Sequence, residues 1–340
     1  MTTSGVSFFN QTQTQVARLK QLNTNLADLT RQLTTQKKNE TMSGFGVDSL
    51  AVQKLRTDKN ALNTYLVNID TVSTRVQLMS DSMTQGAEAG RVLLESITTQ
   101  IREGEVDMEV VSAMARQQLG LMQDIANLEI DGRYLFAGSN TDVEPYPNGS
   151  NYDITMQGLV ADWRSGTITT TQFMNSISAQ TPADVGFDPA LTSSGSVSAQ
   201  IDKNNNLDYT SVASKNGFQQ IMQALAIAAN ITSAPDPALS PPGPTKADFQ
   251  AVLDQISTMA RAGVEATDRS NADLGIKFST LKTVQDNHET DAATLDKLLI
   301  GKENVDTTEV VAQIQALQTQ LSASYEVTNV VNNLSLLNFI

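Results

Sequence analysis

Few residues in this 340-residue chain have the type and spacing that catalysis or metal binding needs. A histidine cage or relay needs several imidazoles, and the chain has one, His288, in the helical stretch "DNHETD", where a solvated or half-buried place suits it. Cysteine is absent, which removes disulfides, thiolate metal sites and thiol nucleophiles. The stretch "DKNNNLDYTSVA" puts Asp202, Asn204 and Asn206 at the first, third and fifth positions of a calcium loop. It fails further on, because Leu207 stands where the sharp turn needs Gly and Ala213 where a bidentate Glu must close the site. A hairpin turn accounts for the same residues. Glu103, Glu105, Asp107 and Glu109 form an acidic run that reads as a solvated turn favouring the start of the next helix. Sequons begin at Asn10, Asn39, Asn148 and Asn230, and without a secretory signal they read as coincidence. No catalytic residue, cofactor site or metal ligand set is assigned.

One further stretch invites a chemical reading: "LEIDGRYLFAGSNTD", from Leu128 to Asp142. As a phosphate cradle it is poor, since only Gly132 and Gly138 are present, no lysine follows where a P-loop needs one, and no strand precedes it. As a structural corner it is economical. Gly132 can take the left-handed conformation that ends a helix. Beyond Arg133, Tyr134 and Phe136 alternate with Leu135 in a short extended segment that can pin the corner, and Gly138 lets the chain turn outward.

The elements that must hold this corner are helices. Val16, Leu19, Leu22, Leu26, Leu29 and Leu33 form a stripe whose last five members step by a heptad seam's alternating threes and fours. After the turn at "KKNETMSGFG" a second run starts near Asp48, with Leu55, Leu62, Leu66, Ile69, Val76, Met79 and Met83 on one face. Gly86 and Gly90 in "QGAEAG" are expected to loosen this helix without ending it. Val111, Met114, Leu121, Ile125 and Leu128 carry the period up to the corner. Beyond a proline-rich break at "SAPDPALSPPGP" a long helix is predicted from about Ala247, and a last one holds Val310, Ile314, Leu317 and Leu321 at heptad spacing, with Leu334 and Leu337 beyond. Between the two helical halves, Thr- and Ser-rich stretches read as β, with a hairpin formed by Val197, Ala199 and Ile201 against Leu207 and Tyr209.

The expected fold is therefore mainly α: an elongated antiparallel helical bundle or coiled-coil rod built from both termini, with a small β-rich insert. Its segments are 1–43 (N-terminal heptad helix, forming an axial core with 305–340), 44–139 and 218–304 (the two halves of the rod), 140–217 (the insert) and 305–340 (C-terminal heptad helix). Because the helical stripes are complete without it, the insert is expected to be removable without loss of helix. With 37 Asp and Glu against 23 Lys and Arg, the formal charge of −14 disfavours nucleic acid as a partner. No stretch approaches a membrane span and the N-terminus has no signal-peptide pattern, so membrane insertion is not expected.

The heptad helix at each end, the insert, the missing cysteine and the ending "ASYEVTNVVNNLSLLNFI" together resemble the flagellin superfamily of bacterial flagellar axial proteins. Within it, "GRYLFAGSNTDVEPY" is similar to the signature of the hook-filament junction branch. The segment "QKKNETMSGFGVDS" departs from that branch, keeping only the lysines of its basic, Ser- and Asp-rich loop, and this leaves a filament flagellin open. A flagellin-like surface adhesin that binds through the insert is a further alternative. The resemblance implies a non-enzymatic structural subunit with no cofactor, exported to the flagellum without a cleaved signal peptide. Its implied partners are other copies of itself, the first hook-associated protein, filament flagellin and a cytoplasmic flagellar export chaperone. The implied assembly interface is Leu19, Leu22, Leu26, Leu29, Leu33, Val310, Ile314, Leu317, Leu321, Leu334 and Leu337; the corner is Gly132, Arg133, Tyr134, Leu135, Phe136 and Gly138.

Overall fold

A computed structural model describes residues 3–102, 105–233 and 243–337, with side chains for 13–100, 106–233 and 243–330. Glu103 and Gly104, most of the proline-rich break, and the side chains of Glu105, Leu334 and Leu337 lie outside the described residues. Among those residues the fold is mainly α, with three small two-stranded sheets. In chain order the elements are α1 (Thr3–Thr35), α2 (Ser49–Thr99), β1 (Ile101–Arg102), β2 (Glu105–Val106), α3 (Met108–Ala126), β3 (Glu129–Ile130), β4 (Arg133–Tyr134), α4 (Gly149–Arg164), α5 (Thr170–Ser178), β5 (Ser198–Asp202), β6 (Asn205–Asp208), α6 (Phe218–Asn230), α7 (Lys246–Glu303) and α8 (Thr307–Leu337). All nine prolines fall between Pro145 and Pro244, so the four longest helices contain none and nothing breaks their backbone ladders.

The chain divides into two compact units. The first comprises 1–64 and 288–340. In it α1 packs along α8, and the chain leaving α1 is tied to the turn before α8: Lys38 N–H donates to the Glu303 carbonyl at 2.7 Å, and Val305 N–H to that of Gln36 at 3.2 Å. Because the C-terminal end of α1 meets the N-terminal end of α8, the two helices run antiparallel. Asp306 starts α8 by accepting from the Thr308 and Glu309 amides at 2.9 and 3.3 Å. Ion pairs from Arg56 to Glu303 (2.7 Å) and Lys59 to Asp296 tie α2 to α7 within this unit, and Lys302 pairs with Asp48, just before α2, at 2.8 Å.

The second unit, residues 65–287, holds one continuous core. At its centre is α6, whose residues from Ile221 to Ala229 are all buried, packed by α3 on one side and α4 on another. Here the Thr- and Ser-rich segment differs from its expected β character. It contains α4 and α5, and its only named strands are those of the β5–β6 hairpin. The reason is local. Thr169 makes a capping box with Gln172, its hydroxyl accepting from the Gln172 amide at 3.2 Å while the Gln172 side chain accepts from the Thr169 amide at 2.8 Å. A threonine run that looks like a strand is thus a helix start, and Phe173 and Ile177 give the helix its buried face. The insert also shares its core with the helices instead of standing apart from them. Tyr152, Met156, Trp163, Phe173 and Phe187 are buried in the same core as α6, and Gln223 of α6 donates to the Gln180 side chain at 3.1 Å.

Two further expectations are corrected. His288 is 6% exposed rather than solvated or half-buried. It lies at heptad spacing after buried Leu274 and Leu281 on α7, so the seam carries it inward despite its polar neighbours. Gly86 and Gly90 do not loosen α2, which runs unbroken past them. Both are buried, and a Cβ at Gly90 would stand 2.5 Å from Val264 Cγ2 on α7, which makes them close-packing positions.

Candidate functional site

The corner begins where α3 ends. Asn127 closes the helix and staples the chain that returns to it: its side-chain oxygen accepts from the Tyr146 amide at 2.8 Å, and its amide donates to Glu144 Oε1 at 2.8 Å and to the Tyr146 carbonyl at 3.1 Å. Gly132 does not end the helix, as the sequence suggested. Asp131 and Gly132, with φ of 53° and 72°, form the two-residue turn of the β3–β4 hairpin, in which Ile130 faces Arg133 and Glu129 faces Tyr134. Consecutive positive φ values mark a primed hairpin turn, for which Asp-Gly is a preferred pair. That dipeptide was the available signal.

From the second strand of the hairpin onward, three backbone donors are turned to the protein's own carbonyls. Tyr134 N–H donates to the Thr141 carbonyl at 2.7 Å, Leu135 N–H to the Leu128 carbonyl at 2.9 Å, and Ser139 N–H to the Gly195 carbonyl at 3.1 Å. Phe136 is fully buried and meets the Phe218 ring edge-on, centroids 5.3 Å apart, at the first residue of α6. Its carbonyl accepts from the Ala213 amide at 2.9 Å, and Ala137 pairs with Val212. Leu135 is buried, Tyr134 half-buried and Arg133 exposed. Burial first, then the charges of Glu144 and Glu129, hold the Tyr134 phenol above its ordinary pKa. Gly138 has a φ of 63°, and a Cβ there would stand 2.7 Å from Ser194 Oγ. The corner is thus a clamp that joins the end of α3 to the start of α6.

Sequence reading missed the other half of that clamp. Asn216 and Gly217 start α6, with the Asn216 side-chain oxygen accepting from the Phe218 amide at 3.2 Å. Gly217 has a φ of 100°, and a Cβ there would lie 2.4 Å from the Gly263 carbonyl oxygen of α7. The Asn-Gly pair ahead of an apolar run was legible as a turn; its contact with α7 was not. Replacing Phe136 by Ala is expected to cost about 3–5 kcal/mol, the usual range for emptying a fully buried aromatic site. Urea unfolding followed by fluorescence of Trp163, the single tryptophan, would measure it.

The terminal stripe lies in the first unit. Leu22, Val310 and Leu321 are buried; Leu19, Leu26, Leu29, Leu33, Ile314 and Leu317 are half-buried. Counting equal distances from the Gln36–Val305 junction puts Leu22 within a turn of Leu321, and Leu29 near Val310 and Ile314. Pairing therefore covers part of the seam and leaves most of its leucines partly open. Around it Val16, Val311, Tyr325, Val327 and Val330 are exposed, from 39% to 58%.

No family model and no curated protein sequence matches the chain. Among solved structures it is similar to one described as a flagellar hook-associated protein from Vibrio parahaemolyticus, at 14% identity and a TM-score of 0.52, over 76% of this chain and 99% of that one. The chain has the fold of a flagellar hook-associated protein. A FlgL structure from Bacillus cereus is also similar, at 12% identity and a TM-score of 0.44, over 73% of this chain and 98% of that one. On this hook-associated fold the two groups of residues found in the sequence fall in different units, the seam in the first and the corner in the second. No helix among the described residues is long and apolar enough to cross a membrane.

Proposed function

We propose that this chain is a structural subunit of the bacterial flagellum, a junction protein that joins a hook-associated protein to the flagellin filament. It acts without catalysis, through its paired terminal helices. The observation that supports this reading is the seam: α1 and α8 pair, yet Leu19, Leu26, Leu29, Leu33, Ile314 and Leu317 stay half-buried. A two-helix contact with that much apolar surface still open gains by adding a neighbour. Leu334 and Leu337 would extend the same interface. Contacts of this kind, repeated head to tail without closing, build a helical tube.

In this reading the partners are further copies of the chain, the first hook-associated protein on one side and filament flagellin on the other. A cytoplasmic chaperone escorts the chain before export. The test is genetic. Deletion of the gene is expected to leave hooks without filaments while flagellin accumulates in the medium, with attachment restored by the wild-type chain. Full-length filaments on the deletion strain would overturn the junction assignment and favour a filament flagellin.

A further inference from the structure

The turn between α1 and α2, "QKKNETMSGFGVDS", is where the chain departs from the branch it resembles, and its geometry gives that departure a use. Gly46 has a φ of 53° and a ψ of −122°, a backbone shape that a residue with a side chain rarely adopts. A Cβ there would meet nothing within 4 Å, so the glycine serves the shape of the turn and not a close approach. The next residue, Val47, is 100% exposed, and Leu50 is 75% exposed. Asp48, between them, lines an open cleft of about 450 Å³ together with half-buried Phe45 and with Leu298 of α7, itself 51% exposed. A single exposed apolar side chain is ordinary, but a group of them on a turn shaped by glycine marks an interaction surface.

The charges identify what covers it. Residues 37–59 and 296–303 hold seven Lys and Arg against five Asp and Glu, in a chain whose formal charge is −14. Lys38, Lys297 and Lys302 line the cleft with Asp48 as its one carboxylate. Lys302 is engaged with Asp48, and Lys38 donates to the Gly301 carbonyl at 2.9 Å. Lys297 is exposed, as is Lys54, one helical turn beyond Leu50 and so on the same face of α2. The 65–287 unit carries 26 Asp and Glu against 13 Lys and Arg, whereas the 1–64 and 288–340 unit holds 11 against 10. The acidity of the chain thus lies almost wholly in one unit, and the cation-rich apolar corner lies in the other. Opposite charges on two surfaces steer their encounter and fix their register. Two copies satisfy them head to tail, and a contact of that kind repeats from copy to copy.

We propose that the α1–α2 corner docks on the acidic 65–287 unit of a second copy, with Val47, Leu50 and Leu298 as apolar contacts and Lys54 and Lys297 as steering charges. This contact rests on the reading of the chain as a self-assembling subunit and is separate from the α1–α8 seam. Sedimentation of the full chain should show self-association that weakens about tenfold or more between about 0.01 and 0.1 M sodium chloride, as the Debye length falls from about 30 to about 10 Å. Lys54→Glu combined with Lys297→Glu should weaken it about tenfold or more at the lower salt. Val47→Ser should weaken it about tenfold at either salt, as loss of a buried valine does. All three positions are exposed, so circular dichroism should show unchanged helix in both variants. Because the chain has no cysteine, Val47→Cys gives one thiol on which to place a benzophenone cross-linker. In a mixture of isotope-labelled and unlabelled chains, mass spectrometry should find its cross-links between copies, within 65–287. A chain that stays monomeric at low salt, association indifferent to salt and to the two lysines, or cross-links between copies confined to α1 and α8 would each overturn the proposal. The deletion phenotype is read separately: hooks without filaments, together with any of those results, would keep the junction assignment and remove this contact.

Discussion

Excision of residues 140–217, with Ser139 joined to Phe218 through a short flexible linker, is expected to abolish the cooperative unfolding of the 65–287 unit. The segment brings Tyr152, Met156, Trp163, Phe173 and Phe187 into the core, each at most 2% exposed, and Trp163 stacks on Phe173 with centroids 5.2 Å apart. Emptying one large aromatic site costs about 3–5 kcal/mol, while an entire domain is stable by about 5–15 kcal/mol. Several such losses exceed what the unit has. Its central helix α6 would also be left with a bare face, because α4 packs on it directly. Circular dichroism of the excised chain should show loss of helix beyond the residues removed, with no sharp thermal transition from this unit. A retained cooperative melt would show that α3, α6 and α7 make a sufficient core by themselves.

The second large effect lies at the termini. Leu22→Asp places a carboxylate at a position 7% exposed, where α1 meets α8. The cost is that of a lost leucine plus a partly desolvated, unpaired charge, on the order of 4 kcal/mol. The first unit buries few apolar side chains among its described residues, Leu22, Val52, Leu299, Val310 and Leu321, and has little with which to offset it. Hydrogen exchange should show α1 and α8 amides unprotected, while Trp163 fluorescence keeps its native position as a control on the other unit. Leu26→Asp, at a half-buried neighbour, should perturb the isolated chain less and assembly comparably. Unchanged protection of α1 in Leu22→Asp would show that the α1–α8 contact does not hold these helices.

The long helices were legible because their stripes are regular and no proline interrupts them. The β5–β6 hairpin was equally plain, since Val197, Ala199 and Ile201 alternate against Leu207 and Tyr209. What escaped reading depended on partners distant in sequence. Phe173 and Trp163 look like scattered aromatics until α5 folds against α4, and the threonines ahead of Phe173 carry β propensity that a capping box overrides. His288 was misplaced because its neighbours are polar, although its spacing from Leu281 was the better guide. The corner was found through its composition, but its function as a clamp needed Phe218 and Ala213, many residues downstream. Gly263 gave no signal at all; only the approach of α6 explains it, since a Cβ there would stand 2.7 Å from Ile221 Cγ1 and 2.9 Å from the Ile221 amide nitrogen.

The contact between the two ends of the chain also sets a sequence of events. Lys38 reaches the Gly301 carbonyl across 263 positions of sequence, and α1 finds α8 only beyond that point. Closing so large a loop is entropically slow, whereas the 65–287 unit is stitched by much shorter loops, such as Asn127 to Tyr146 and Phe136 to Ala213. That unit can therefore consolidate while α1 is still without its companion. During synthesis, and again after any passage in an unfolded state, α1 precedes its companion and is sheltered late. Its leucine stripe stays available to other binders for the whole interval, and any factor that must hold the chain back from premature assembly has that interval in which to act.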